Sequence, residues 1–159
     1  MSEKDRTASA PAQESGEENY NAPLLQNQLC FPLYAVSKEV VRLYKPFLDE
    51  IGLTYTQYIA MLVLWEKQAQ TVKELGEHLY LDSGTLTPLL KKMEAQGLVN
   101  RQRNAADERS VIVSLTEKGR ALREKALSIP EKIGSCLPLT REESKTLYQL
   151  LYRMLYAIE

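Results

Sequence analysis

The sequence predicts a mainly α-helical chain with a small β-wing, and three observations predict it. Apolar residues recur at spacings of three and four in several separate stretches, the period of one helix face. Threonines open several of those stretches with Gln or Glu three positions on: Thr54 with Gln57, Thr71 with Glu74, Thr140 with Glu143. Each such pair can satisfy two orphan backbone donors at a helix start. Two runs of strand-like composition, 98–103 and 110–115, flank the polar tip Asn104-Ala105-Ala106-Asp107-Glu108. Helices followed by a hairpin make the plan of a winged helix-turn-helix, here residues 54–115 within a single domain, 23–159.

From the N-terminus, residues 1–22 are rich in Ser, Ala, Glu and Pro and predict a flexible, solvated tail. Two cations against five carboxylates leave that tail at −3, and because the whole chain carries −1, the remainder carries +2. The overall pI of about 6.0 therefore understates how basic the folded part is. Leu29, Leu33, Val36, Val40, Leu43 and Phe47 form one stripe, so 32–47 should be helical. Pro32 fits its first position, where a missing N–H is harmless, and Pro46 should kink or end it near Tyr44. The helix expected over 55–67 is apolar nearly all round, as a central core helix must be.

Leu75 and Leu79 give the next helix its stripe. Asp82 should cap the one after, which carries Leu86, Leu89, Leu90 and Met93 and tolerates Pro88 because it falls in the second turn. Gly97 stops that helix, since glycine takes a left-handed cap without strain. Thr116 should cap a long helix to about Ile133, bent by Pro130. Leu147, Leu150, Leu151, Met154, Leu155 and Ile158 then stripe a terminal helix.

A length of 159 residues with 44% hydrophobic and 26% charged content suits one soluble globular domain and leaves no room for a second. The longest clear apolar run, 59–65, falls far short of the roughly 20 residues of a membrane span. Residues 1–20 lack the apolar core of a secretory signal, so a cytoplasmic protein is expected, in which the two cysteines act as thiols rather than staples. His78 is the only histidine and cannot complete a four-ligand zinc site with two cysteines. No phosphate loop or dinucleotide fingerprint occurs, so neither a metal nor a cofactor is expected.

The chemistry of 71–115 suits a reader of double-stranded DNA. If the helix capped by Asp82 enters a major groove by its N-terminus, Ser83, Thr85 and Thr87 meet base edges while Lys91 and Lys92 meet phosphates. Arg101, Arg103 and Arg109 of the hairpin would then lie along the backbone or minor groove. Against this, the segment holds six basic and six acidic residues and is neutral, so its charges could equally be a solvated face. Cys30, beside the N-terminus of the first helix, adds a second chemistry. The partial positive charge there favours thiolate, the nucleophile that attacks a peroxide, although a lone cysteine is more often an inert hydrophobe. Tyr44 and Tyr55 are phenols able to donate to such a sulfur.

The run from Asp107 to Gly119, D-E-R-S-V-I-V-S-L-T-E-K-G, resembles the wing signature of the MarR family of dimeric bacterial regulators, with every fixed position filled. The resemblance extends from about Gln28 to the C-terminus. It implies that Arg109 enters a minor groove, that Asp107 orients it, and that 28–50 and 116–159 interlace with a second copy as a dimerisation lobe. Leu29-Cys30-Phe31-Pro32-Leu33-Tyr34, Tyr44, Tyr55 and the run 81–90 are further similar to the organic hydroperoxide resistance regulators of that family. This resemblance implies that Cys30 senses peroxide, that Tyr44 and Tyr55 donate hydrogen bonds to it, with Tyr34 nearby, and that Cys136 of the other subunit, or a small cellular thiol in its place, resolves the oxidised sulfur.

The expectation is therefore a homodimeric repressor, not an enzyme, that binds operator DNA and releases it when organic hydroperoxides oxidise Cys30. Two alternatives stay open on the sequence: the same repressor gated by a small aromatic ligand, and a thiol peroxidase using both cysteines in turnover.

Overall fold

The computed structural model describes residues 24–105 and 107–158, so the expected tail at 1–22 lies outside the described residues. The chain divides into two compact units, 1–38 and 39–159. The first contains a 3-10 turn, Leu25–Asn27, and the start of α1 (Cys30–Asp49). Here the Lys38 ammonium donates to the Tyr34 hydroxyl at 3.3 Å and sits 5.1 Å from the centre of its ring. Leu24, Leu25, Leu29, Phe31 and Val36 are exposed.

Pro46 does not end α1 near Tyr44, one of the two outcomes expected of it, because the helix continues to Asp49. A proline inside a helix removes one hydrogen bond and crowds the carbonyl four residues back, at roughly 3 kcal/mol. What offsets this is the next turn, where Leu48 is 1% exposed and Phe47 packs against the core. Burying one leucine alone recovers about 1.5–3 kcal/mol. The helix also starts two residues earlier than Pro32, at Cys30.

The second unit continues with α2 (Tyr55–Lys67), β1 (Ala69–Thr71), α3 (Val72–Leu79), α4 (Ser83–Ala95), β2 (Val99–Asn104), β3 (Asp107–Leu115), α5 (Glu117–Ala126), α6 (Ile129–Cys136) and α7 (Arg141–Ile158). Its core gathers Met61 and Leu64 of α2, Leu75 of α3, Leu86, Leu90 and Met93 of α4, and Val113 of β3, all 0% exposed. The expected capping boxes form: Thr54 with Gln57, Thr71 with Glu74, and Thr140 with Glu143, whose reciprocal bonds run from 2.7 to 3.4 Å. Asp82 caps α4 through the Thr85 N–H at 2.9 Å.

The antiparallel sheet has the order β1-β3-β2, a strand more than the hairpin alone. The hairpin itself is longer and tighter than its composition suggests. Asn104 pairs with Asp107, and the register then jumps to Arg103 opposite Val111, so 108–110 bulge out of the ladder. Nor is there one bent helix over 116–133. With no N–H at Pro130, the helix is interrupted after Ala126 and resumes at Ile129, and Leu127 and Ser128 between them keep right-handed helical dihedrals. α7 buries none of its residues within the chain, leaving Leu147, Leu150, Leu151 and Leu155 between 36 and 41% exposed.

The last glycine of the wing signature has a packing reason. Gly119 is buried where the first turn of α5 crosses the start of β2, and a Cβ there would collide with the Leu98 carbonyl oxygen. Its own carbonyl accepts the Trp65 indole N–H at 2.9 Å. Gly119→Ala should therefore force backbone apart and destabilise the fold by about 1–3 kcal/mol. Thermal unfolding at fixed protein concentration measures this, and an unchanged midpoint would refute the close approach.

Candidate nucleic-acid interface and thiol sites

The N-terminus of α4 is built to stay exposed and ordered. Asp82 accepts from the Thr85 hydroxyl at 2.8 Å as well as from its N–H, and these bonds hold the Asp82 carboxyl below the usual carboxylate range. The Thr87 hydroxyl donates to the Ser83 carbonyl at 2.7 Å. Thr85 and Thr87 have thus committed their hydroxyl protons to the helix start, which leaves their oxygens as acceptors. Ser83, Thr85, Lys91 and Lys92 are exposed, and Thr87 is half-buried.

The wing faces this helix end. An open cleft of about 1020 Å³ is lined by Lys73 of α3, Asp82, Ser83 and Thr87 of the α4 end, and Arg101 and Arg109 of the hairpin. The Asp107 carboxylate accepts the backbone N–H of Arg109 at 3.1 Å, and the Ser110 hydroxyl donates to the Asp107 carbonyl at 3.0 Å. Asp107 therefore sets the course of the bulge that carries Arg109, through its main chain. Arg103 and Arg109 are exposed. Arg101 is different: its guanidinium lies 3.4 Å from Glu94 of α4, its side chain is 18% exposed, and its N–H donates to the same carboxylate at 3.2 Å. It acts as a strut between hairpin and helix, which composition could not reveal.

The thiols lie on separate elements. Cys30 is the first residue of α1 and Cys136 the last of α6; both are free and exposed. Tyr44 and Tyr55 are brought together, with ring centroids 5.0 Å apart in an edge-to-face arrangement. Tyr58 joins them at 5.8 Å from Tyr44, a participant hidden among the core residues of α2, although its spacing of three from Tyr55 put both on one helix face. Tyr34 lies in the first unit, against Lys38.

Burial pushes the phenols of Tyr44, Tyr55 and Tyr58 above 10, so all three are protonated donors at neutral pH. Because the native values are raised, the stability linked to these groups is complete below the unfolded value of about 10 and is lost as pH rises through the native ones. Tyr55→Phe should accordingly show a shallower loss of stability than wild type as pH rises above about 10. Denaturant midpoints across that window test it; parallel curves would count against the buried phenol.

Comparison with known proteins follows the same lines. A family profile described as Transcriptional regulator SarA/Rot matches residues 42–126. The organic hydroperoxide resistance transcriptional regulator of Bacillus subtilis is 53% identical over 142 residues, covering 87% of this chain and 95% of that protein. The structure of reduced AbfR bound to DNA superposes with a TM-score of 0.69 at 41% identity, over 85% of this chain and 94% of that one. Disulfide-formed AbfR, a protein of Staphylococcus epidermidis, gives 0.59 at 42% identity, over 84% and 91%.

Proposed function

Because the chain belongs to the MarR family of winged-helix transcriptional regulators, in its organic hydroperoxide resistance branch, we propose that it is a homodimeric repressor that releases operator DNA when organic hydroperoxides oxidise Cys30. The observation that carries the reading is the cleft in which the α4 N-terminus and Arg109 of the wing face each other. In a dimer, two such reading heads lie about one helical turn apart, roughly 34 Å, and address successive major grooves of a pseudo-palindromic site. Ser83, Thr85 and Thr87 meet base edges, Lys91, Lys92 and Arg103 meet phosphates, and Arg109 reaches the minor groove with its bulge set by Asp107.

Residues 54–115 form the DNA-binding lobe on this reading, and 28–50 and 116–159 the dimerisation lobe. The exposed leucines of α7 supply a reason for the dimer, since an apolar stripe of that length is seldom left in water.

The redox step balances in two stages. The Cys30 thiolate attacks one oxygen of the hydroperoxide, the O–O bond breaks, and an alcohol leaves once the alkoxide takes a proton; the sulfur is now a sulfenic acid. The Cys136 thiol of the partner then displaces its hydroxyl as water, forming an intersubunit disulfide. On this reading the phenols of Tyr44 and Tyr55 donate hydrogen bonds to the Cys30 sulfur. A disulfide-formed state of AbfR, 42% identical to this chain, supports disulfide formation as the form of the response.

Arg109→Ala is expected to weaken operator binding and to lower the slope of log affinity against log salt by about 1, as loss of one phosphate-region cation should. Titrations at several salt concentrations decide it, and an unchanged slope removes Arg109 from the interface. One equivalent of cumene hydroperoxide should yield a reducible cross-linked dimer that needs both Cys30 and Cys136, with release of the operator. Equal release by Cys30→Ser would point instead to a regulator gated by a bound ligand, and turnover beyond stoichiometry to a peroxidase.

A further inference from the structure

Gln57 is the only polar side chain among the described residues that is fully buried, at 1% exposure. Its amide serves two elements. The carbonyl oxygen Oε1 accepts the Thr54 N–H at 2.9 Å, closing the capping box of α2. A glutamate would do that equally well. The amide nitrogen does what a glutamate cannot: Nε2 donates at 3.0 Å to Oε1 of Gln96, 39 residues on, at the end of α4.

Gln96 is a junction. Its N–H donates to the Lys92 carbonyl within α4, its carbonyl accepts the Lys118 ammonium of α5 at 2.7 Å, and the next residue is the Gly97 stop. At the other end of the link, Gln57 lies two residues beyond Tyr55, whose ring packs edge-on to Tyr44. The first turn of α2 therefore holds both Tyr55, one member of the tyrosine pair, and the side chain that grips the end of α4.

We propose that the Gln57–Gln96 amide pair is a positioning link that carries displacement of the Tyr44–Tyr55 pair to α4, so that oxidation at the thiol changes the setting of the DNA-reading helix. The inference rests on the proposed redox function. A half-buried hydrogen bond suits this task because it is either made or unmade, giving the two discrete arrangements that coupling between sites requires. Neither glutamine is among the residues proposed to meet DNA or peroxide.

The experiment uses full-length wild type, Gln96→Met and Gln96→Glu, each measured reduced and after cumene hydroperoxide, for operator affinity and for the rate of Cys30 consumption. Met removes the acceptor; Glu keeps it. Coupling of this kind is usually about 5–150-fold, and in Gln96→Met the loss of affinity on oxidation is expected to shrink below about 3-fold, with Cys30 consumed at the wild-type rate. Gln96→Glu should retain the wild-type loss.

A wild-type loss in Gln96→Met, or equal shrinkage in both variants, overturns the link while leaving the redox function standing. No loss in wild type itself overturns both. Hydrogen exchange on wild type tests the same link without substitution: oxidation should raise exchange at the Gly97 and Leu98 amides, and unchanged protection there refutes it.

Discussion

Gly97 leaves α4 with φ of +71°, and that left-handed turn lets the end of the helix satisfy its own carbonyls. The Gly97 N–H reaches back to Glu94 at 2.8 Å and the Leu98 N–H to Met93 at 3.0 Å, the paired bonds of a glycine-terminated helix. Neighbouring groups fasten the same point from outside: the Thr116 hydroxyl donates to the Gly97 carbonyl at 2.7 Å, and Lys118 and Gln57 hold Gln96. The recognition helix is therefore anchored at its C-terminal end by α2 and α5, while its N-terminal end opens on the cleft. Since β2 begins two residues after Gly97 and α5 follows β3, wing and helix share one fixed origin. Their spacing is set by covalent connection and by the Arg101–Glu94 strut rather than by a flexible loop.

The same chain leaves much of its apolar surface uncovered. α7 presents leucines on one side and a column of tyrosines, Tyr148, Tyr152 and Tyr156, with ring centroids 4.6 and 5.6 Å apart. The residues that make the reading head are thus independent of those that present the apolar faces.

Much of this was readable in the residues alone where the physics is local. A threonine followed by Glu or Gln at three positions fixes a helix start whatever lies around it, and α2 begins and ends where its cap and composition put it. Gly97 and Asp82 were equally plain. Where the outcome depended on distant partners, the sequence was silent. β1 is three residues long and owes its existence to pairing with β3. Pro46 is tolerated only because Leu48 and Phe47 find the core, a contact no periodicity reports.

The candidate sites divide the same way. Ser83, Thr85, Lys91 and Lys92 sit on an exposed face as their positions in α4 imply, but Arg101 looked like its neighbours Arg103 and Arg109 until Glu94 was found beside it. Tyr58 and Gln57 read as ordinary members of an apolar helix. Their significance lies in ring and amide geometry, which composition cannot carry.

Trp65 is the chain's sole tryptophan, and its surroundings give the molecule an optical gauge of its own. The indole is 9% exposed, its N–H is committed to the Gly119 carbonyl at the junction of α2 and α5, and its ring centre lies 6.4 Å from that of Tyr58. Light absorbed by the tyrosine trio can pass to this one emitter. Its fluorescence colour and intensity thus report, without any label, whether the joint that supports the recognition helix is closed or has opened to water.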